Sequence, residues 1–148
     1  MTIYLATDHA GFELKEKIKK FLIDGGYKVK DFGAFKLDSD DDYPDFIHKA
    51  AKAVSKKSSD SLGIILGGSG QGEAMVANRY KRVRATVYYG GEKEIIRLSR
   101  EHNNANVLSL GARFLSEKEA IAAVSLWLKT PFTRKERHQR RIEKIDKK

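Results

Sequence analysis

The residues with the clearest chemical potential are Gly67-Gly68-Ser69-Gly70-Gln71-Gly72-Glu73, directly after the apolar run Leu62-Gly63-Ile64-Ile65-Leu66. A buried strand that breaks into glycines and then opens a helix leaves main-chain N–H groups at a positive helix end, an arrangement that binds anions. Glycines also let backbone approach a ligand with no Cβ in the way. Glu73 sets a carboxylate beside that cradle, and a base next to a held anion points to proton transfer. Nucleotide-binding readings fail on spacing. Gly67 and Gly72 have the first interval of a triphosphate P-loop, but Glu73-Ala74 stands where Lys-Ser/Thr is required, and a carboxylate there repels phosphates. Met75 takes the place of the third glycine of a dinucleotide fingerprint. The plainer alternative is a tight turn with a solvated Glu at a helix start.

Other polar groups sit at places where such chemistry gathers. Asp8 and His9 follow the first apolar run; the alternative is a helix N-cap beside an incidental histidine. His102-Asn103-Asn104 closes a helix just before a strand, where an Asn C-cap is the bland reading. Arg137 and Arg141 are four apart, so they share a helical face and could grip one phosphate. His138, Ile142 and Ile145 form a neighbouring stripe suited to packing on the body or on a partner subunit, against the alternative of a solvated basic helix end. Asp40-Asp41-Asp42 lacks the alternation and glycine of an EF-hand loop, so it reads as a solvated acidic turn and not a cation site. No Ser-His-Asp or Cys-His arrangement is evident, and four histidines without clustered spacing argue against a transition-metal site. What remains is a carboxylate, the Ser69 hydroxyl, imidazoles and arginines. Those groups suffice to move a proton between adjacent carbons of a phosphorylated substrate.

The elements that must position these residues alternate along the chain. Strands are expected at Thr2–Thr7, Tyr27–Phe32, Ser61–Leu66, Val83–Tyr89 and Asn106–Gly111. Leu14, Ile18, Phe21 and Leu22 recur at helical spacing until Gly25-Gly26 stop the helix. Pro44 opens a second helix to about Lys57, and a third runs from about Gly72 to Arg79. Ile95, Leu98 and His102 mark a further helix face, as do Ala120, Ile121, Val124, Trp127 and Leu128, and a charged helix closes the chain at roughly Arg134–Lys147. Strict alternation implies a parallel sheet covered by helices on both faces. Ligands of such sheets sit outside the carboxyl ends of the strands, which places Asp8, His9, the Gly67–Glu73 loop and Arg113 along one rim.

Composition narrows the function classes. With 148 residues, 41% hydrophobic and 33% charged, the chain reads as one domain, 1–148, with a real core. No apolar stretch approaches a bilayer span and the first residues carry no signal-peptide pattern, so neither membrane nor export is expected. The absence of cysteine excludes disulfides, thiolate metal sites and a cysteine base, and it fits a reducing cytoplasm. The net charge of +9 is concentrated: more than half of it lies in residues 131–148. Aromatics do not interleave with that tail, which argues against a nucleic-acid surface.

The motifs Asp8-His9-Ala10-Gly11, Asp42-Tyr43-Pro44, Gly67–Glu73, Arg100-Glu101-His102-Asn103-Asn104-Ala105-Asn106, Gly111-Ala112-Arg113 and Arg137-His138-Gln139-Arg140-Arg141 occur in order. Together, over Ile3 to about Ile145, they resemble the ribose/galactose sugar-phosphate isomerase family, in particular its ribose-5-phosphate isomerase B members. The resemblance implies a Rossmann-like (flavodoxin-like) three-layer α/β sandwich with a five-stranded parallel sheet and a C-terminal helix. It implies a homodimer or tetramer with sites between subunits. The implied activity is metal-free, cofactor-free interconversion of ribose 5-phosphate and ribulose 5-phosphate through an enediolate, in the pentose phosphate pathway.

By the same resemblance, His102 with Asp8 would assist ring opening, and Ser69 would handle the proton between O1 and O2. The backbone around Gly68, Gly70 and Gly72 would hold the oxyanion, with Asn103 on sugar hydroxyls and Tyr43 at the border. His9, Arg113, Arg137 and Arg141 would hold the phosphate. Many members carry a cysteine base at the first loop position, here Gly67; in another branch a Glu at the loop's end serves, and Glu73 stands there. A carboxylate with an ordinary pKa is ionised at neutral pH without tuning. The alternatives are the same reaction on a six-carbon sugar phosphate (allose or galactose 6-phosphate) and a non-catalytic phosphosugar sensor. The conjunction of Glu73, Ser69 and His102 argues against the sensor.

Overall fold

The structure is a computed structural model that describes residues 1–147. Five parallel strands, β1 (Thr2–Thr7), β2 (Lys28–Asp31), β3 (Ser61–Gly67), β4 (Ala85–Tyr88) and β5 (Val107–Gly111), form one sheet in the order β2-β1-β3-β5-β4. Around it lie α1 (Phe12–Asp24), α2 (Tyr43–Lys56), α3 (Gln71–Ala77), α4 (Glu94–Glu101), α5 (Glu117–Lys129) and α6 (Glu136–Asp146), with a short 3-10 turn at His9–Gly11.

The central strands β1, β3 and β5 are buried along nearly their whole length. That is why they read as continuous apolar runs and not as alternation. One face of the sheet packs Ile18 and Leu22 of α1, Ile96 of α4, and Val124 and Trp127 of α5. The other packs Ile47, Ala50, Ala51 and Val54 of α2 and Ala77 of α3. Each large side chain so covered contributes about 1.5–3 kcal/mol of transfer free energy. α5 starts on a capping box, with Ser116 Oγ accepting from Glu119 N–H and the Glu119 carboxylate accepting from Ser116 N–H. Among the described residues no helix is long and apolar enough to cross a membrane.

The expected three-layer α/β sandwich is therefore present, with a strand order of its own. The flavodoxin order is 2-1-3-4-5; here β5 inserts between β3 and β4. Gly67 at the end of β3 consequently pairs with Gly111 at the end of β5. That exchange brings Arg113 beside the glycine loop. β1 and β3 are paired neighbours, and the chain leaves them for opposite faces, into α1 and α3, which leaves a crevice at their carboxyl ends.

Strand β4 is shorter than the expected Val83–Tyr89, because the residues before it are engaged elsewhere. Arg82 has φ 64°, and Arg84 N–H donates to Asn106 Oδ1 at 2.8 Å. The third helix begins one residue earlier and ends two residues sooner than expected, and α6 spans less than the roughly Arg134–Lys147 read from charge.

Candidate active site

The carboxyl ends of β1, β3 and β5 frame an open cleft of about 480 Å³ lined by Asp8, His9, Tyr43, Gly68, Ser69, Gly72, Glu73 and Arg113. Its floor is the glycine loop. Gly70 has φ +78°, and a Cβ there would stand 3.0 Å from the Leu110 carbonyl carbon, so the turn tolerates no side chain. Ser109, fully buried on β5, donates its hydroxyl to Gly70 O at 2.6 Å and holds the loop down. Ala112 N–H and Arg113 N–H donate to Gly67 O and Gly68 O at 2.8 and 3.1 Å, which aims the Arg113 guanidinium over Gly68. Among the described residues no protein acceptor takes the N–H groups of Gly68, Ser69 or Gly70. They remain available to an oxyanion.

Glu73, in the first turn of α3, is 3% exposed. A Cβ built on Gly67 would overlap its carboxylate, so Gly67 is glycine to leave room for that group. Gly72 is glycine for a similar reason: a Cβ there would meet the Tyr43 hydroxyl at 2.6 Å, and the tyrosine lies over the loop. Burial pushes the Glu73 carboxyl above the ordinary carboxylate value. Its own main-chain N–H pulls the other way, and the Asp8 charge adds a smaller upward push. The expectation of an untuned carboxylate is thus corrected. A base in water-poor surroundings is stronger than one in solution.

Asp8, 6% exposed, accepts from Ala10 N–H at 3.0 Å. It is an N-cap as the plainer reading had it, and it also faces the cleft. His9 meets a residue that sequence reasoning set aside. Asp41 Oδ1 accepts from His9 N–H at 3.0 Å and lies 2.7 Å from His9 Nδ1. This hydrogen bond is the largest cause raising the His9 pKa; burial opposes it, Asp8 and the Asp41 charge reinforce it, and Arg113 lowers it. The charged form of His9 is therefore favoured beside Arg113, at a rim fit for a phosphate. The acidic turn is not simply solvated: the Asp41 side chain is only 9% exposed and it organises the site. Nothing in local spacing signalled this, because the contact spans 32 residues. Asp8, His9 and Asp41 present three donor atoms within 4.8 Å of one another; His9 Nδ1 is committed to Asp41 Oδ1, while Asp41 Oδ2 is buried with no hydrogen-bond partner among the described residues.

The remaining expected residues lie elsewhere in the chain. Helix α4 runs back from the carboxyl edge, so His102 and Asn103 come just before β5 at the opposite edge. Five strand residues at about 3.3 Å each put roughly 17 Å between the two edges. A single chain thus does not bring His102 to Asp8. His102 stacks instead on the buried His138 of α6, with ring centroids 4.3 Å apart and planes at 14°. Burial, then the nearby His102, Arg137, Arg141 and Lys135, push the His138 pKa down. Arg137 and Arg141 are exposed on α6, and Asn103 lines a depression with Thr86, Val87 and Ile95. Asn104, with φ 44°, serves as the left-handed residue that ends α4.

A family model described as Ribose/Galactose Isomerase matches residues 3–145. A ribose-5-phosphate isomerase B of Mycolicibacterium paratuberculosis is 45% identical over 144 residues, 97% of this chain and 88% of that protein. The Escherichia coli ribose-5-phosphate isomerase B is 36% identical over 97% of this chain and 93% of its own length. A crystal structure of ribose-5-phosphate isomerase B from Mycoplasma genitalium with bound ribulose-5-phosphate has a TM-score of 0.93 at 42% identity, covering 97% of this chain and 93% of that one. This chain belongs to the ribose/galactose isomerase family.

Proposed function

We propose that this chain interconverts ribose 5-phosphate and ribulose 5-phosphate, with Glu73 as the base. The observation that carries this is the buried Glu73 carboxyl group at the floor of a cleft that also offers Ser69, loop N–H groups without a partner among the described residues, and the His9–Arg113 rim. Opening the furanose needs a proton on the ring oxygen and loss of one from O1, assigned to His102 and Asp8. Glu73 then takes the proton from C2, leaving an enediolate whose charge the N–H groups of Gly68, Ser69 and Gly70 stabilise. Ser69 relays the proton between O1 and O2. Glu73 returns its proton to C1, so the carboxylate is regenerated and atoms balance.

Glu73 as the base also has a geometric rationale. Its carboxylate occupies the space a side chain at position 67 would fill, so a base delivered from either position reaches the same point. This supports placing the chain in the branch that uses Glu where others use Cys.

His102, Asn103, Arg137 and Arg141 then serve a second copy of the chain, in a homodimer or an assembly of such dimers. Two features support this. The four residues cluster at an edge remote from their own cleft. Met75 and Ile95 are 66% and 56% exposed and flank Val87 of the edge strand β4, an apolar strip that a partner would cover. The cysteine-free sequence supports a cytoplasmic setting. Because the family model spans ribose and galactose isomerases, allose and galactose 6-phosphate belong in the substrate panel.

Complementation tests the shared site. Glu73→Gln and His102→Asn proteins are unfolded together and refolded as a mixture. A mixed dimer has one site with both defects and one with neither. Random pairing therefore restores about a quarter of wild-type turnover, by the two-fold symmetry of such interfaces. A mixture as inactive as its components would refute sites shared in this way.

A further inference from the structure

Helix α6 carries Arg137 and Arg141 but is weakly anchored, with His138 its one buried residue. Near its start it is held to the end of α4: Thr133 N–H and Oγ1 both donate to Glu101 O, at 3.3 and 2.8 Å, and His138 stacks on His102. Its far end meets the residues leading into β4. Asp146 Oδ1 accepts from Arg82 N–H at 3.3 Å, and Asp146 Oδ2 lies 3.6 Å from Arg84 Nη1.

Arg84 turns its Nε the opposite way. Its Nε–H is shared between Asn103 O and Asn104 O at 3.1 and 3.0 Å, and the side chain is only 12% exposed. Its main chain is fixed as well, donating to Asn106 Oδ1 and accepting from Asn106 and Val107 N–H. Arg82 keeps φ 64° while its carbonyl accepts from Asn106 Nδ2 at 2.7 Å. One guanidinium thus ties the loop carrying His102 and Asn103 to the helix carrying Arg137 and Arg141. A planar guanidinium suits this role because its donors are rigidly splayed, unlike the single point charge of a lysine.

We infer that Arg84 and Asp146 are positioning residues that lock the His102–Asn103 loop and α6 into one unit, so that ring-opening and phosphate-binding groups reach a second copy's cleft in register. This rests on the shared site proposed above. Without the latch, α6 pivots about its start. The phosphate guanidiniums then drift while the base, on a different element, is undisturbed.

The test is steady-state kinetics on Asp146→Ala, alone and in an Arg137→Ala/Arg141→Ala background. Asp146 is partly exposed, so the variant is expected to fold and dimerise, checked by melting and sedimentation. The expected result is a KM for ribose 5-phosphate raised about two- to thirtyfold with kcat nearly unchanged, and no further rise once both arginines are gone. Arg84→Lys, which keeps the charge but loses the fork, should lower kcat as well, because the His102 loop loosens too. An unchanged KM in Asp146→Ala overturns the inference, as does an equal rise in the arginine-free background. Failure of the Glu73→Gln/His102→Asn complementation would remove the shared site itself, and that result is independent of Asp146.

Discussion

Replacing Gly67 by alanine adds one methyl group and should nearly silence the enzyme. Gly67 ends β3, and its φ lies outside the left-handed region, so alanine meets no backbone strain. The conflict is with a side chain: the new Cβ overlaps the Glu73 carboxylate, which is 3% exposed and has little room to withdraw. Overpacking of a filled interior costs about 1–3 kcal/mol, a fall in Tm of about 2–12 °C for a chain of this size. If Glu73 yields by rotating away, general-base catalysis worth about 10²–10⁴ in rate is lost. Coupled-assay turnover of ribose 5-phosphate and a melting curve measure both. The decisive control is Gly67→Ala in a Glu73→Ala background, where the carboxylate is gone. There the methyl should cost no further rate and little stability. Near-wild-type turnover in the single variant, or a further large loss in the double, would refute the claim that the loop's first glycine exists to seat this carboxylate.

Glu73→Gln should abolish turnover while sugar-phosphate binding, read by calorimetry, survives. Because burial raises the Glu73 pKa above its ordinary 4.5, the neutral form is favoured in the fold. The stability this gives is present below 4.5 and lost as pH rises through the raised value. Glu73→Gln is therefore expected to melt higher than wild type at neutral pH, with the gap closing in acid. The acid limb of kcat/KM should lie above the ordinary carboxylate range and move down in Asp8→Asn. Asp41→Asn removes the largest cause raising the His9 pKa. The imidazolium contribution is complete below 6.5 and fades as pH rises through the folded value, so this variant should lose phosphate affinity at lower pH. KM measured across pH should match wild type in acid and exceed it between 6.5 and the wild-type value. A chelator should leave turnover unchanged, since the steps assigned to Glu73, Ser69, His102 and Asp8 are proton transfers between carboxylate, hydroxyl and imidazole groups that need no metal ion.

Local features carried the alternation of strand and helix, the glycine loop and the placement of Asp8, His9, Glu73 and Arg113 at strand ends. Apolar runs, turn residues and the rule for parallel sheets are properties of short segments, and so they are visible in sequence. Three matters depended on segments far apart meeting. Asp41 was recruited to His9 from a loop with no periodicity. The insertion of β5 between β3 and β4 put Arg113 beside Gly68. The folding-back of α4 and α5 left His102, Arg137 and Arg141 at the edge away from Asp8, so that one chain cannot hold the whole expected set. The Glu73 pKa belongs with these, since it depends on how much water the packed sheet and helix exclude. A residue's type and spacing define the chemistry it can do; which groups it faces, and in what medium, is decided by the long-range packing that brings distant segments into contact.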